Sequence, residues 1–313
     1  MSEKKTLYLY IGAQKTASSM VRRALKAHIE QLNENGVALI DRGQILKSPF
    51  FKFLKNYPVG PERPEPSQEQ LADIKGLLDT PHPVTLATSE GMFSSLRSDD
   101  FFQNIKPGLE VMRRVLPDID IRVVLYSRVQ KGFLESCYTQ FIQLGHSELT
   151  FDDFLGRTSG EKTLPTDLSW AKVCDDISAV VGKENLIVRP FEVIRELGSA
   201  GFVRDFLQIL GLDAEQAAAF DLDAALAEGR AANRGFSQAA VDIARFTMPM
   251  LNPKQKKRLR KFLQEGFSTE HYPRPKYFSD AEAAELKSIY TSENTRLFKE
   301  YLPEFDPVAL GYI

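Results

Sequence analysis

The chain has two cysteines, Cys137 and Cys174, too few and too far apart for a disulfide framework or a CxxC metal site; reduced, partly buried thiols are expected. Its four histidines, His28, His82, His146 and His271, show no ligand spacing, so no metal is expected. Nowhere do about 18 apolar residues follow one another without charges, which leaves no expected membrane span. The apolar run before Gly12 is too short for a signal-peptide core, no export signal is visible, and a cytoplasmic location is expected. Charge of one sign is also missing: 40 Lys and Arg stand against 42 Asp and Glu, a formal net charge of −2. That balance argues against a surface given over to nucleic acid, yet it allows a small, deep basic pocket. There is no internal repeat and no low-complexity linker.

What is present suits a large buried core. With 313 residues, 43% apolar and 26% charged, the chain is expected to form one elaborate α/β domain over 1–313. Thr6 to Ile11 reads as a buried strand, and Val21, Leu25, Ile29 and Leu32 recur at helical spacing over Ser18 to Asn33. "NENGVALI" then reads as a helix stop and a second strand, a βαβ start that implies a parallel sheet. Further buried strands are expected at "PVTLATSE", "DIRVVLYSR" and "ENLIVRPFEVI", with helices between them. The aromatic and proline-rich stretch around Phe50, Phe51, Phe53 and Tyr57 is an expected surface excursion, and burial is the default role of its rings. From about residue 199 onward the pattern is helical, including the basic "PKQKKRLRKFLQEGF", read as a solvated helix face with Leu259 and Phe262 turned inward. Trp170 receives no role.

Ligands in open parallel sheets bind outside the carboxyl ends of the strands. Three expected strand ends carry polar clusters: "GAQKTASS", "ATSE" and "YSR". The first joins a strand to a helix N-terminus, where unpaired backbone N–H groups and the helix dipole favour an anion. Lys15 adds a full charge, and Thr16, Ser18 and Ser19 add hydroxyl donors. The loop lacks the four-residue gap and Gly-Lys pair of the Walker A pattern, which weakens an ATP or GTP reading. In "YSRVQKGFLESCYTQF", Arg128 sits at a strand mouth and Ser136 follows eight residues later on a helix. A guanidinium pairs with phosphate through two charge-assisted bonds, and a serine completes the coordination. Alone, the first segment also reads as a hydroxyl-rich helix cap with an exposed lysine, and the second as a solvated charge ending a strand and an ordinary helical serine.

The order of "IGAQKTASSMVRRAL", "TLATSE" and "YSRVQKGFLESCYTQFIQLG" resembles the sulfotransferase superfamily, in particular its bacterial sulfotransferase-like members. "NLIVRPFEVI", "DFLQILGLD" and, more weakly, "ANRGFSQ" extend the similarity over most of the chain. The resemblance implies a P-loop-like three-layer α/β fold with a central parallel sheet. It also implies transfer of a sulfuryl group from 3′-phosphoadenosine 5′-phosphosulfate, PAPS, to a hydroxyl or amine acceptor such as a carbohydrate or small metabolite. On the family's first motif, Gln14, Lys15, Thr16, Ala17, Ser18 and Ser19 would hold the 5′-phosphosulfate, with Gln14 replacing the usual proline and Ala17 the usual glycine. Arg128 and Ser136 would grip the 3′-phosphate. A Cβ restricts positive φ, so either Ala17 keeps φ negative or the loop binds its donor less well; the sequence leaves both open.

The same resemblance implies a histidine or glutamate base at the end of the strand between the two phosphate motifs, which here is Glu90, with Ser89 able to orient it. Glu90 also reads as a helix N-terminal charge. Lys15 would stabilise charge on the leaving oxygen. His271 is a reserve base or substrate contact. Two rival readings stand beside this one: a nucleotide-dependent kinase, for which no acidic metal ligand is evident, and a degenerate relative that binds nucleotide or sulfated glycan without turnover.

Overall fold

A computed structural model describes residues 4–58, 60, 62–89, 91–93, 101–156, 164–165, 167–232 and 234–313, with 228–232 described by backbone alone. In chain order the first half forms β1 (Thr6–Tyr10), α1 (Ser18–Ala27), α2 (Ile29–Glu34), β2 (Val37–Ile40), α3 (Arg42–Lys47), α4 (Pro49–Lys55), α5 (Gln68–Leu78), β3 (Val84–Thr88), α6 (Ile105–Val115), β4 (Asp120–Ser127) and α7 (Gln130–Gln143). The rest comprises α8 (Phe151–Phe154), α9 (Trp170–Val181), β5 (Leu186–Pro190), α10 (Ile194–Ile209), α11 (Ala214–Ala218), α12 (Leu222–Ala232), α13 (Gln238–Thr247), α14 (Pro253–Gly266), α15 (Asp280–Tyr301) and α16 (Pro307–Leu310).

The strands make one parallel sheet in the order β2-β3-β1-β4-β5. Tyr10, the last residue of β1, aligns with Thr88 at the end of β3 and with Val124 in β4. The three strands with polar ends are therefore neighbours. The chain leaves β1 toward β2 on one side, then crosses back past β1 from β3 to β4, so the reversal falls beside β1.

Alternation along the strands builds two apolar faces. Leu7, Leu9, Val123 and Leu125 share a core with Leu109 and Met112 of α6, Phe133 and Cys137 of α7, Trp170 and Cys174 of α9, and Leu297 of α15. Tyr8, Tyr10, Val124 and Tyr126 face the other way, onto Val21 and Leu25 of α1, Phe202 and Phe206 of α10, and Leu222 of α12. Helices thus cover both faces, which gives the three layers expected.

Three local readings differ from the sequence expectation. The first helix is interrupted at His28, whose Nδ1 lies 2.8 Å from the Ala24 carbonyl oxygen while its backbone leaves helical angles, and Ile29 is left 40% exposed. The surface excursion begins as a helix, α4, that buries Phe50, Phe51 and Leu54. On α14 Leu263 is buried and Leu259 packs on the core, but Phe262 is 58% exposed. The two leucines, four residues apart, define the inner face, and the residue before Leu263 is turned away from it.

Candidate functional site

The loop after β1 is anchored on both sides before it turns. The Ile11 N–H donates to the Val124 oxygen at 3.3 Å and the Ala13 N–H to the Tyr126 oxygen at 3.2 Å, while the Ser89 N–H donates to the Tyr10 oxygen at 3.1 Å. Gly12 is required here: a Cβ would lie 3.0 Å from the Tyr10 ring at φ +34°.

The backbone then alternates. Lys15 has φ 67° and Ala17 φ 61°, the non-glycine residues with positive φ among those described. Ala17 therefore holds its Cβ in the left-handed region, which costs about 1–2 kcal/mol; of the two alternatives open from sequence, negative φ is the one the structure rejects. Alternation of left-handed with other residues turns successive N–H groups toward one concavity, an arrangement suited to anions. Helix α1 starts at Ser18, has no acidic residue in its first turn, and its Ala17 cap offers no side-chain acceptor. Among the described residues none accepts a hydrogen bond from the N–H of Thr16, Ala17 or Ser19.

The hydroxyls divide their work. Thr16 is fully buried and its Oγ1 donates to the Ala13 oxygen at 2.6 Å, while its own carbonyl accepts from the Tyr10 hydroxyl at 3.3 Å. That side chain braces the loop from inside. Ser19 Oγ accepts from Arg22 Nη2 at 3.0 Å, which leaves its proton to donate elsewhere. Gln14 and Ser18 are buried in the same turn.

Just past the end of β4, Arg128 reaches this loop and donates from Nη1 to the Lys15 carbonyl oxygen at 2.6 Å. Its guanidinium carbon sits 4.9 Å from the centre of the Phe191 ring, a cation–π contact. Burial pulls the Arg128 pKa down, the Glu192 carboxylate opposes that, and the nearby Arg274 charge adds to the lowering. On α7 the guanidinium passes close to Gly132: a Cβ built there would lie 3.6 Å from Arg128 Nε, an ordinary contact distance. Ser136 is one turn further along the same face, half-buried. The buried Cys137 thiol is pushed up to about 12 by burial, against the pull of Lys15 and Arg128. It stays protonated at neutral pH and is no nucleophile, but it feels both cations. Lys15, Arg128 and the segment of α7 around Ser136 thus converge at the ends of β1 and β4.

Glu90 lies outside the described residues; Ser89 before it is buried and accepts the Met92 N–H at 3.2 Å. His271 is exposed, on a turn where its N–H donates to the Ser268 oxygen at 3.1 Å. Sequence reasoning missed four residues. Arg274 brings a second arginine charge toward Arg128. Trp170 donates from Nε1 to the Arg128 oxygen at 2.7 Å. Glu192, 3% exposed, accepts the Val129 N–H at 3.1 Å and the Tyr312 hydroxyl at 2.9 Å. An acid two residues past a strand, in the apolar "RPFEVI", is the signal that could have pointed to Glu192; nothing local marks Tyr312.

Among the described residues no helix is long and apolar enough to cross a membrane. No protein-family model matches the chain, and no curated protein is significantly similar to it in sequence. Among solved structures it is similar to a sulfotransferase from Alicyclobacillus acidocaldarius, with 14% identity over 98% of each chain and a TM-score of 0.52. The likeness shows the fold: the five-stranded parallel sheet with helices on both faces is sulfotransferase-like, as the resemblance in sequence implied.

Proposed function

We propose that the protein, as a single domain over 1–313, transfers a sulfuryl group from PAPS to a hydroxyl or amine on a carbohydrate or small metabolite. One observation carries the reading: the Arg128 to Lys15 hydrogen bond, which brings two cationic residues together at adjacent strand ends of a sulfotransferase-like fold. A ligand with two separated anionic groups, one of them a phosphosulfate, fits that pair better than a linear triphosphate.

In this reading the N–H groups from Gln14 to Ser19 and the start of α1 bind the 5′-phosphosulfate. Arg128 and Ser136 bind the 3′-phosphate. The acceptor oxygen attacks sulfur, the bond from sulfur to the 5′-phosphate oxygen breaks, and 3′-phosphoadenosine 5′-phosphate departs. Glu90 takes the acceptor proton, and the Lys15 ammonium meets the charge that grows on the leaving oxygen. Interactions of that kind, stronger in the transition state than before it, are worth about 10²–10³ in turnover each.

The reading is tested by incubating the protein with PAPS and a panel of hydroxyl and amine acceptors and following 3′-phosphoadenosine 5′-phosphate. Release that depends on an acceptor is expected. Tight binding of the bisphosphate with no release on any acceptor would instead favour a nucleotide-binding protein without turnover.

A further inference from the structure

Behind Arg128 the fold builds a buried polar chain of residues outside the proposed donor contacts. Glu192 Oε1 accepts the Val129 N–H at 3.1 Å, and Oε2 accepts the Tyr312 hydroxyl at 2.9 Å. The Tyr312 oxygen lies 3.0 Å from Ser127 Oγ. Ser127 and Val129, the residues on either side of Arg128, are therefore held by one carboxylate–phenol pair. Tyr312 is 1% exposed and is itself fixed: its carbonyl accepts from Asn294 Nδ2 at 3.0 Å, and its ring meets Phe298 with centroids 4.9 Å apart. Asn294 in turn exchanges two amide hydrogen bonds, of 2.9 and 3.2 Å, with Gln130.

A buried carboxylate is costly, and an apolar side chain of equal volume usually packs at least as well. Glu192 is therefore weak evidence for a purely stabilising role. The Glu192 carboxylate lies close enough to Arg128 to act on the guanidinium, and the phenol supplies a hydrogen bond to its second oxygen. Arg128 is then restrained at its oxygen by Trp170, at both neighbours by Glu192 and Tyr312, and at its head by the Lys15 oxygen. Bidentate recognition of a phosphate depends on such orientation, because misplacing the fork loses both bonds together.

We propose that Glu192 and Tyr312 are positioning residues for Arg128, and that selection of a nucleotide bearing a 3′-phosphate over one lacking it depends on them although both are buried. The inference rests on the reading of Arg128 as the 3′-phosphate ligand.

The test is calorimetry on the full chain with 3′-phosphoadenosine 5′-phosphate and with adenosine 5′-monophosphate, for the wild type, Tyr312→Phe and Glu192→Gln. The wild type is expected to prefer the bisphosphate. In both variants that preference should fall by about tenfold, the bisphosphate weakening while the monophosphate stays within about twofold. A merely structural role would weaken both nucleotides together, and that outcome overturns the inference. So does a preference left intact in Tyr312→Phe, which removes one oxygen and carries the test if Glu192→Gln fails to fold. Equal wild-type affinity for the two nucleotides would overturn the underlying reading, and this inference with it.

Discussion

Arg128 donates from Nη1 to the main-chain oxygen of Lys15 across 2.6 Å, and so ties the turn after β4 to the turn after β1. One arginine thereby links the two turns proposed to bind the anionic groups of one ligand. Lysine at this position keeps the charge but not the planar fork, so Arg128→Lys is not conservative here. Arg128→Lys is expected to raise the Kd for 3′-phosphoadenosine 5′-phosphate about 10–100-fold, the size of one or two charge-assisted hydrogen bonds. Calorimetry checks this; an affinity unchanged in Arg128→Lys would remove Arg128 from the site.

Ala17 sits at φ 61° as the cap of α1 and gives no side-chain hydrogen bond there. Glycine relieves the left-handed strain, about 1–2 kcal/mol, but gives back about 0.5–1 kcal/mol through the freer unfolded chain. Ala17→Gly is therefore expected to stabilise the protein by up to about 1 kcal/mol and to leave bisphosphate binding equal or tighter. Urea denaturation at equilibrium reads the first and calorimetry the second. Destabilisation would mean that the Ala17 methyl group, packed beside the core on that face of the sheet, matters more than the strain.

Lys15→Ala is expected to abolish sulfuryl transfer. Glu90→Gln should lower kcat about 10²-fold or more while donor affinity stays nearly constant, because the proposed base would act on the acceptor proton and not on the nucleotide. Product release followed under saturating PAPS decides both. Wild-type turnover in Glu90→Gln would make another group the base.

How far the sequence revealed this site follows from the range of the contacts. The three polar strand ends were legible because each follows a short apolar run, and the parallel order β3-β1-β4 makes them neighbours. Lys15, Arg128 and Ser136 could be named from spacing and resemblance. The sign of φ at Lys15 and Ala17 could not, since alanine and lysine carry no mark of left-handed backbone; it is imposed by the anchors at Ile11, Ala13 and Thr16. Nor could Tyr312, which lies 120 residues from Glu192 and meets it only when α15 packs on α7 and α9 and the segment after it reaches Ser127 at the end of β4. The break at His28 was hidden for another reason: a histidine that bonds back to the Ala24 oxygen competes with the helix without altering the apolar spacing.

Acid should expose a separate ion pair. Asp175 is partly exposed; burial pushes its pKa up, but hydrogen bonds from Arg296 at 2.9 Å and Tyr301 at 2.7 Å outweigh this and hold it below the ordinary 3.8. A carboxyl depressed in the folded state adds stability above its unfolded pKa and loses it as pH falls through the folded value. Asp175→Asn should thus cost up to about 1 kcal/mol at neutral pH, the range of a solvent-screened pair. The difference from wild type should shrink below the ordinary pKa of 3.8. Urea denaturation at pH values on either side of that range checks it; a difference that persists unchanged in acid would assign the effect to packing.

Calorimetric titration of the wild-type protein with 3′-phosphoadenosine 5′-phosphate, set beside ATP with Mg²⁺, tests the central claim most directly. Paired sites joined through Arg128 and the Lys15 oxygen predict that the bisphosphate binds without metal and at least about tenfold more tightly than ATP. Preference for ATP with Mg²⁺ would contradict the sulfotransferase reading.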